Sequence, residues 1–278
     1  VLRITTSKVL DALKKNPAAE LISVSAFDGG GHCECARCKA IDDENGSPAG
    51  SLIYFVNQVA EAVEKEHPHV LVSTLAYLDT LEPPSKVRPR HNVAIQLCND
   101  LHAWRWPLKD FVSSNRPKSK QYRDAVVNWS RICKNIHIWD YFTNFSHYLG
   151  PMPNMHVLKP SMKFYMDHDV KGVMFQGSFQ GPGGARGPMR SWVMAKLFWD
   201  PSLDVGELQR DFAYGYYQEA GPAIAAHYEF LDRIGQEYQD RIVEEMSGIR
   251  FGMDAPFLTR EFLAKADEHF RRAEALAK

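Results

Sequence analysis

Five short, nearly continuous apolar runs punctuate the chain, and a loop and then a helical pattern follow most of them. The runs lie near 21–28, 70–77, 93–98, 136–140 and 172–176, exemplified by Val93-Ala-Ile-Gln-Leu-Cys98 and Ile136-His-Ile-Trp139. Strands that are apolar at nearly every position, rather than at alternate ones, are buried on both faces, which is the pattern of a parallel sheet. Between them, Ser51–Lys65, Tyr122–Cys133, Val157–His168 and Met189–Trp199 carry apolar residues at helical spacing, with Ser51 placed to cap the first of these. Such β-loop-α repetition builds a parallel sheet with right-handed crossovers.

Two architectures satisfy that order: an open doubly wound sheet and part of a (β/α)8 TIM-like barrel. No Gly-x-Gly-x-x-Gly follows the first run, and no Gly-Lys-Ser/Thr follows Gly29–Gly31, so neither a dinucleotide nor a phosphate loop supports the open sheet. Polar and aromatic residues gather after the C-terminal ends of several runs, where barrel enzymes build their sites. The expectation is therefore an α/β chain holding the fourth to eighth strands of a TIM-like barrel. Lys8–Lys15 would be its third helix, with the barrel portion over 1–203 and a helical segment packed on it over 204–278. The first residue is Val1, and the chain stops at Lys278 inside a helical pattern. It is accordingly expected to be a piece of a longer protein whose N-terminal part completes the barrel.

Partners are narrowed by charge. Lys and Arg number 33 and Asp and Glu 34, for a net charge of −1, which supplies no attraction to nucleic acid or an anionic membrane. No apolar run approaches the roughly 20 residues needed to span a bilayer. His-Glu-x-x-His and Gly-x-Ser-x-Gly are both absent, so zincin and serine-hydrolase sites lack their motifs.

The sharpest chemical signal is His32-Cys33-Glu34-Cys35-Ala36-Arg37-Cys38. Three thiolates this close converge on one soft ion, and zinc takes about four nitrogen or sulfur ligands. His32, Cys98 and Cys133 are the candidates for the fourth, Cys98 being favoured because it ends a neighbouring strand. A closed site of this kind is structural. Free or disulfide-paired cysteines are the alternative.

A second set consists of polar residues at strand ends: Asp28, Tyr77, Asn99, Asp100, Asp140, Asn144 and Gln176. Glycosidic hydrolysis uses two carboxylates across the scissile bond. Asp28 is the expected general acid, in a shielded mouth, and Asp140 the base or nucleophile, with Asp100 as the spare. A lone Asp after a strand also serves as a helix cap or loop former. Trp104, Trp106, Trp139, Tyr141, Phe142, Phe145 and Tyr148 add aromatic planes suited to the C–H faces of sugars, and His102 and His147 fall in the same loops. Tyr77, Asn99, Trp104, Trp106, Trp139, Tyr141, Asn144, His147 and Gln176 are the expected substrate contacts.

These residues also carry a resemblance. Ser25-Ala-Phe-Asp28, the Cys33/Cys35/Cys38 triplet, Phe55-Val-Asn57, Thr74-Leu-Ala-Tyr77, Pro83-Pro84, Trp139-Asp-Tyr141 with Thr143-Asn-Phe145, Gln176-Gly177, Ala195-Lys-Leu197 and Trp199-Asp-Pro201 resemble the bacterial family known as domain of unknown function 4838. The resemblance covers roughly 21–228. It implies a barrel similar to those of α-glucuronidases and β-hexosaminidases, a link to polysaccharide breakdown, and a secreted, periplasmic or surface location. One departure stands out: where hexosaminidases have Asp-Glu after the fourth strand, Asp28 is followed by Gly29. The expected function is a glycoside hydrolase; the rivals are a carbohydrate-binding barrel with a structural zinc site and a metal-dependent hydrolase.

Overall fold

The computed structural model describes residues 1–29, 31–99, 117–181, 183–238 and 249–277. Five strands form one sheet: β1 (Leu21–Ser23), β2 (Leu71–Ala76), β3 (Val93–Cys98), β4 (Ile136–Tyr141) and β5 (Val170–Gln176). Their order in space is their order in the chain, and successive pairs through β4 are parallel. A doubly wound sheet reverses its winding at a switch point. This one does not reverse, and its five parallel strands curl as a half-barrel. The helices are α1 (Leu2–Lys15), α2 (Ala36–Asn45), α3 (Ala49–Glu66), α4 (Pro117–Ser130), α5 (Leu158–Asp167), α6 (Gly187–Trp199), α7 (Val205–Tyr217), α8 (Gly221–Glu237) and α9 (Arg260–Leu276).

Two compact units divide these elements. The first is Val1–Asn99, Gln121–Asp140 and Tyr165–Met174; the second is the described parts of 100–120, 141–164 and 175–278. The division runs through the C-terminal ends of β4 and β5 and through α4 and α5, not across the chain at a single point.

In the first unit the registers Thr74↔Ile95, Ile95↔Ile136 and Leu97↔Ile138 put Val72, Thr74, Ala76, Ile95, Leu97, Ile136 and Ile138 on one face. Every one of them is buried. Helices cover that face: α3 packs on β2 and β3, and Trp129 of α4 donates from Nε1 to the Leu81 carbonyl at 2.7 Å. The opposite face holds Leu75, Gln96, His137 and Trp139, all only partly buried. Gly172 of β5 lets His137 lie against it, since a Cβ there would come within 3.0 Å of Nδ1.

Polar residues secure α2, whose sequence has no apolar stripe. Asp42 accepts from Ser51 through both carboxylate oxygens, at 2.7 Å from the amide and 3.0 Å from Oγ. Asn45 Oδ1 accepts from the amides of Lys86 and Val87 at 3.0 and 2.8 Å. Ser51 is thus inside α3, and Ser47 is the residue whose Oγ accepts from the Ala49 amide, at 3.1 Å.

The second unit is helical around a core of Met155, Leu158, Met189, Val193, Leu197, Phe212, Ala223 and Tyr228. Asp204 caps α7 by accepting from the Glu207 amide at 2.8 Å, and Thr259 caps α9 by accepting from Phe262 at 3.1 Å. Arg190 is only 2% exposed. It donates to the carbonyls of Phe142 and Met152 and, at 2.9 Å, to Asn154 Oδ1, which ties the 142–154 segment to α6. Among the described residues no helix is long and apolar enough to cross a membrane.

Candidate functional site

In the first unit, the loop after β1 gathers the three thiols. Cys33, Cys35 and Cys38 bring their Sγ atoms within 4.8 Å of one another, an arrangement that can bind a metal. Cys35 is the residue before α2, so backbone N–H groups face it. The Cys38 amide, then the Cys33 and Cys38 side chains, lower the Cys35 thiol to about 7. Burial, followed by the neighbouring thiols, raises Cys38 to about 12. A cluster in which one thiol ionises near neutrality while another resists is primed for a cation, which relieves the mutual repulsion when all three become thiolates. No disulfide joins any of the five cysteines. Cys98 is buried at the end of β3 and Cys133 is buried ahead of β4; neither of them, nor His32, has its ligand atom inside the cluster.

Asp79, in the 3-10 turn Leu78–Thr80 after β2, reaches back to this loop. Its Oδ2 accepts from the Gly31 amide at 3.0 Å and lies 3.5 Å from His32 Nδ1. A cleft of about 660 Å³ beside the thiols is lined by His32, Cys33, Glu34, Lys39, Asp42 and Asp43, among others. Nothing in the sequence spacing marks Asp79 as a partner, because contact across the β1–β2 crossover depends on the sheet order.

The strand-end carboxylates part company. Asp28 is exposed in the loop after β1, not enclosed in a shielded mouth. Asp140 is 7% exposed, and its Oδ1 accepts from Asn99 Nδ2 at 2.7 Å while Oδ2 accepts from the Tyr165 hydroxyl at 2.9 Å. Tyr165 belongs to α5, so Asp140 faces the helix layer, sharing the parity of Ile136 and Ile138. Burial, then the charge of Asp140, holds the Tyr165 hydroxyl well above the usual phenol range. Asp100, Trp104 and Trp106, with His102, lie outside the described residues.

Trp139, one position earlier in β4, has the opposite parity and lies on the partly exposed face with Gln96 and His137. Burial lowers the His137 imidazole, which favours the neutral ring. Gln96 was not among the expected contacts; its signal is a lone polar residue inside an apolar run. Tyr77 is half-buried at the exit of β2, and Asn99 is buried against Asp140.

In the second unit, Tyr141 packs edge-on against Phe145 at 5.6 Å, and Phe145 against Tyr148 at 5.9 Å. Asn144 is 2% exposed. It donates from Nδ2 to the Phe251 carbonyl at 2.9 Å and accepts through Oδ1 from Ser146 and Phe251 at 3.0 and 3.2 Å. That residue clamps the 249–251 segment. His147 is exposed, and Gln176 is half-buried at the end of β5.

Residues 1–229 match the sequence profile of a domain of unknown function, DUF4838. No curated protein matches the chain.

Proposed function

The chain belongs to the DUF4838 family, and from its sheet and thiol cluster we propose that it is a carbohydrate-active barrel protein carrying a structural zinc site. The barrel is TIM-like, with β1–β5 as its fourth to eighth strands, and the protein works outside the cytoplasm, as the family resemblance implies. The observation that carries the sugar reading is the partly exposed face of β2–β4. It offers an indole plane at Trp139 beside hydrogen-bonding groups at Gln96 and His137. Polyhydroxylated ligands need this mixture of an apolar plate and edge donors and acceptors.

Glycan binding is favoured over hydrolysis by an Asp28/Asp140 pair, because both oxygens of Asp140 are engaged in the helix layer. A glycoside hydrolase on this scaffold needs Asp28 paired with another carboxylate. A panel of glycans assayed for both binding and cleavage separates the two. Trp139→Ala is expected to weaken glycan binding by about 2 kcal/mol, roughly 30-fold, with the fold intact. Unchanged binding would remove the sugar reading of this face. Cleavage abolished by Asp28→Asn would establish the hydrolase, and cleavage abolished by chelation without unfolding would establish a metal-dependent one.

A further inference from the structure

The thiol cluster supplies three ligands where zinc takes about four. We propose that His32 is the fourth ligand, binding through Nε2, and that the Asp79 carboxylate behind it accepts from Nδ1 and orients the ring. This rests on the reading of the cluster as a zinc site and goes beyond it by fixing the ligand set and tying the site to the loop after β2.

Three observations support the assignment. First, His32 Nδ1 already faces Asp79 Oδ2 at 3.5 Å, leaving Nε2 for a metal. Metal-ligating histidines characteristically give the other ring N–H to a carboxylate, which fixes the tautomer. Second, the alternatives are poorly placed. Cys133 precedes β4, at the N-terminal end of the strands, and its thiol approaches the carbonyls of Val93 and Asn135 at 3.6 and 3.7 Å. Cys98 is buried two strands from β1, which is roughly 10 Å at normal strand spacing. Third, His32 adjoins Cys33 in the chain, and both line the same cleft. The flanking Gly29 and Gly31 have φ of 155° and 86°, and nothing lies within 4 Å of a Cβ built at Gly31. Bringing the imidazole onto the metal therefore requires only local movement of an exposed loop.

The three thiols release their protons to solvent, and the neutral imidazole coordinates without releasing one. Zinc with three thiolates and one imidazole leaves one net negative charge at the site. Loading joins the β1 loop, the start of α2 and, through Asp79, the exit of β2.

The test is metal stoichiometry and affinity of the full chain, with cobalt(II) as the spectroscopic probe. Wild-type protein is expected to bind one zinc, and its cobalt form to show intense tetrahedral d–d bands with thiolate charge transfer. Asp79→Asn is expected to lower zinc affinity about 10–100-fold, and His32→Ala to lower it further and shift the cobalt bands. Wild-type protein that takes up no zinc or cobalt would overturn the zinc reading itself. One zinc bound as tightly by His32→Ala, with an unchanged cobalt spectrum, would overturn only the assignment of His32. In that case Glu34→Gln and Cys98→Ser would identify the true ligand by altering the bands. Far-UV circular dichroism on each variant separates lost affinity from lost folding.

Discussion

Asp28 and Asp140 are both aspartates at strand ends, yet their surroundings demand opposite behaviour. Asp140→Ala would remove the buried carboxylate that accepts from the Tyr165 hydroxyl and the Asn99 amide, at roughly 2–4 kcal/mol. Asp28→Asn, at an exposed position, should change stability by less than about 0.5 kcal/mol. Chemical denaturation of the two variants checks both numbers. The cysteines make a third residue-scale case. In metal-free protein, Cys35 should be alkylated first, with a rate that rises through pH about 7, while Cys38 lags. Zinc should protect all three, and peptide mapping after timed alkylation reads the order. The three cysteines were legible as a cluster because their spacing alone forces proximity. Asp140 was legible as a strand-end residue but not as one buried against a helix. When residues on both faces of a strand are apolar, nothing in the sequence says which parity meets the helices, and a shift by one residue exchanges the faces.

Among the elements, β3 follows its apolar run residue for residue, whereas β1 is shorter than its run, pairing only through Leu21–Ser23. Helix α2 had no apolar periodicity to betray it, since its anchors are the buried Asp42 and Asn45. Sequence periodicity reports apolar burial, and a helix held by hydrogen bonds to a neighbouring loop lies outside what it can see. The contact between α8 and α9 carries a pH dependence. Burial, then Arg186 and His269, lowers His227 to about 4, and its ring lies 4.6 Å from that of Phe270. The unfolded chain takes up this proton near pH 6.5, the folded one only near 4. Stability is therefore full above about 6.5 and falls as pH drops through that window, by about 3 kcal/mol at pH 4. Thermal melts should show this slope in wild-type protein and a flatter one in His227→Phe. Arg190 tests a different link. Arg190→Met removes the donor to the Phe142 carbonyl and Asn154 Oδ1 and leaves the Met152 carbonyl to Arg186, which donates to it at 2.7 Å, at a cost on the order of 3 kcal/mol. Hydrogen exchange should accelerate over 142–154 first.

For the molecule as a whole, the strand order was legible because short apolar runs alternating with helical patterns leave few topologies. The division into two units was not, since each collects segments distant in sequence. Metal removal should act unevenly across it. Hydrogen exchange is expected to quicken over the β1 loop and α2, while α7 and α8 keep their protection. Equal loosening in both units would contradict a local structural site. The two faces of the sheet also set the terms on which this fold can diversify. A mutation that places an acid at Ile138 or Leu97 puts an uncompensated charge under the helices and would be purged by selection. An acid placed at Gln96, His137 or Trp139 leaves the core intact. New chemistry in descendants of this sheet should therefore accumulate at those positions, so that relatives with different activities share one parity of each strand and diverge at the other.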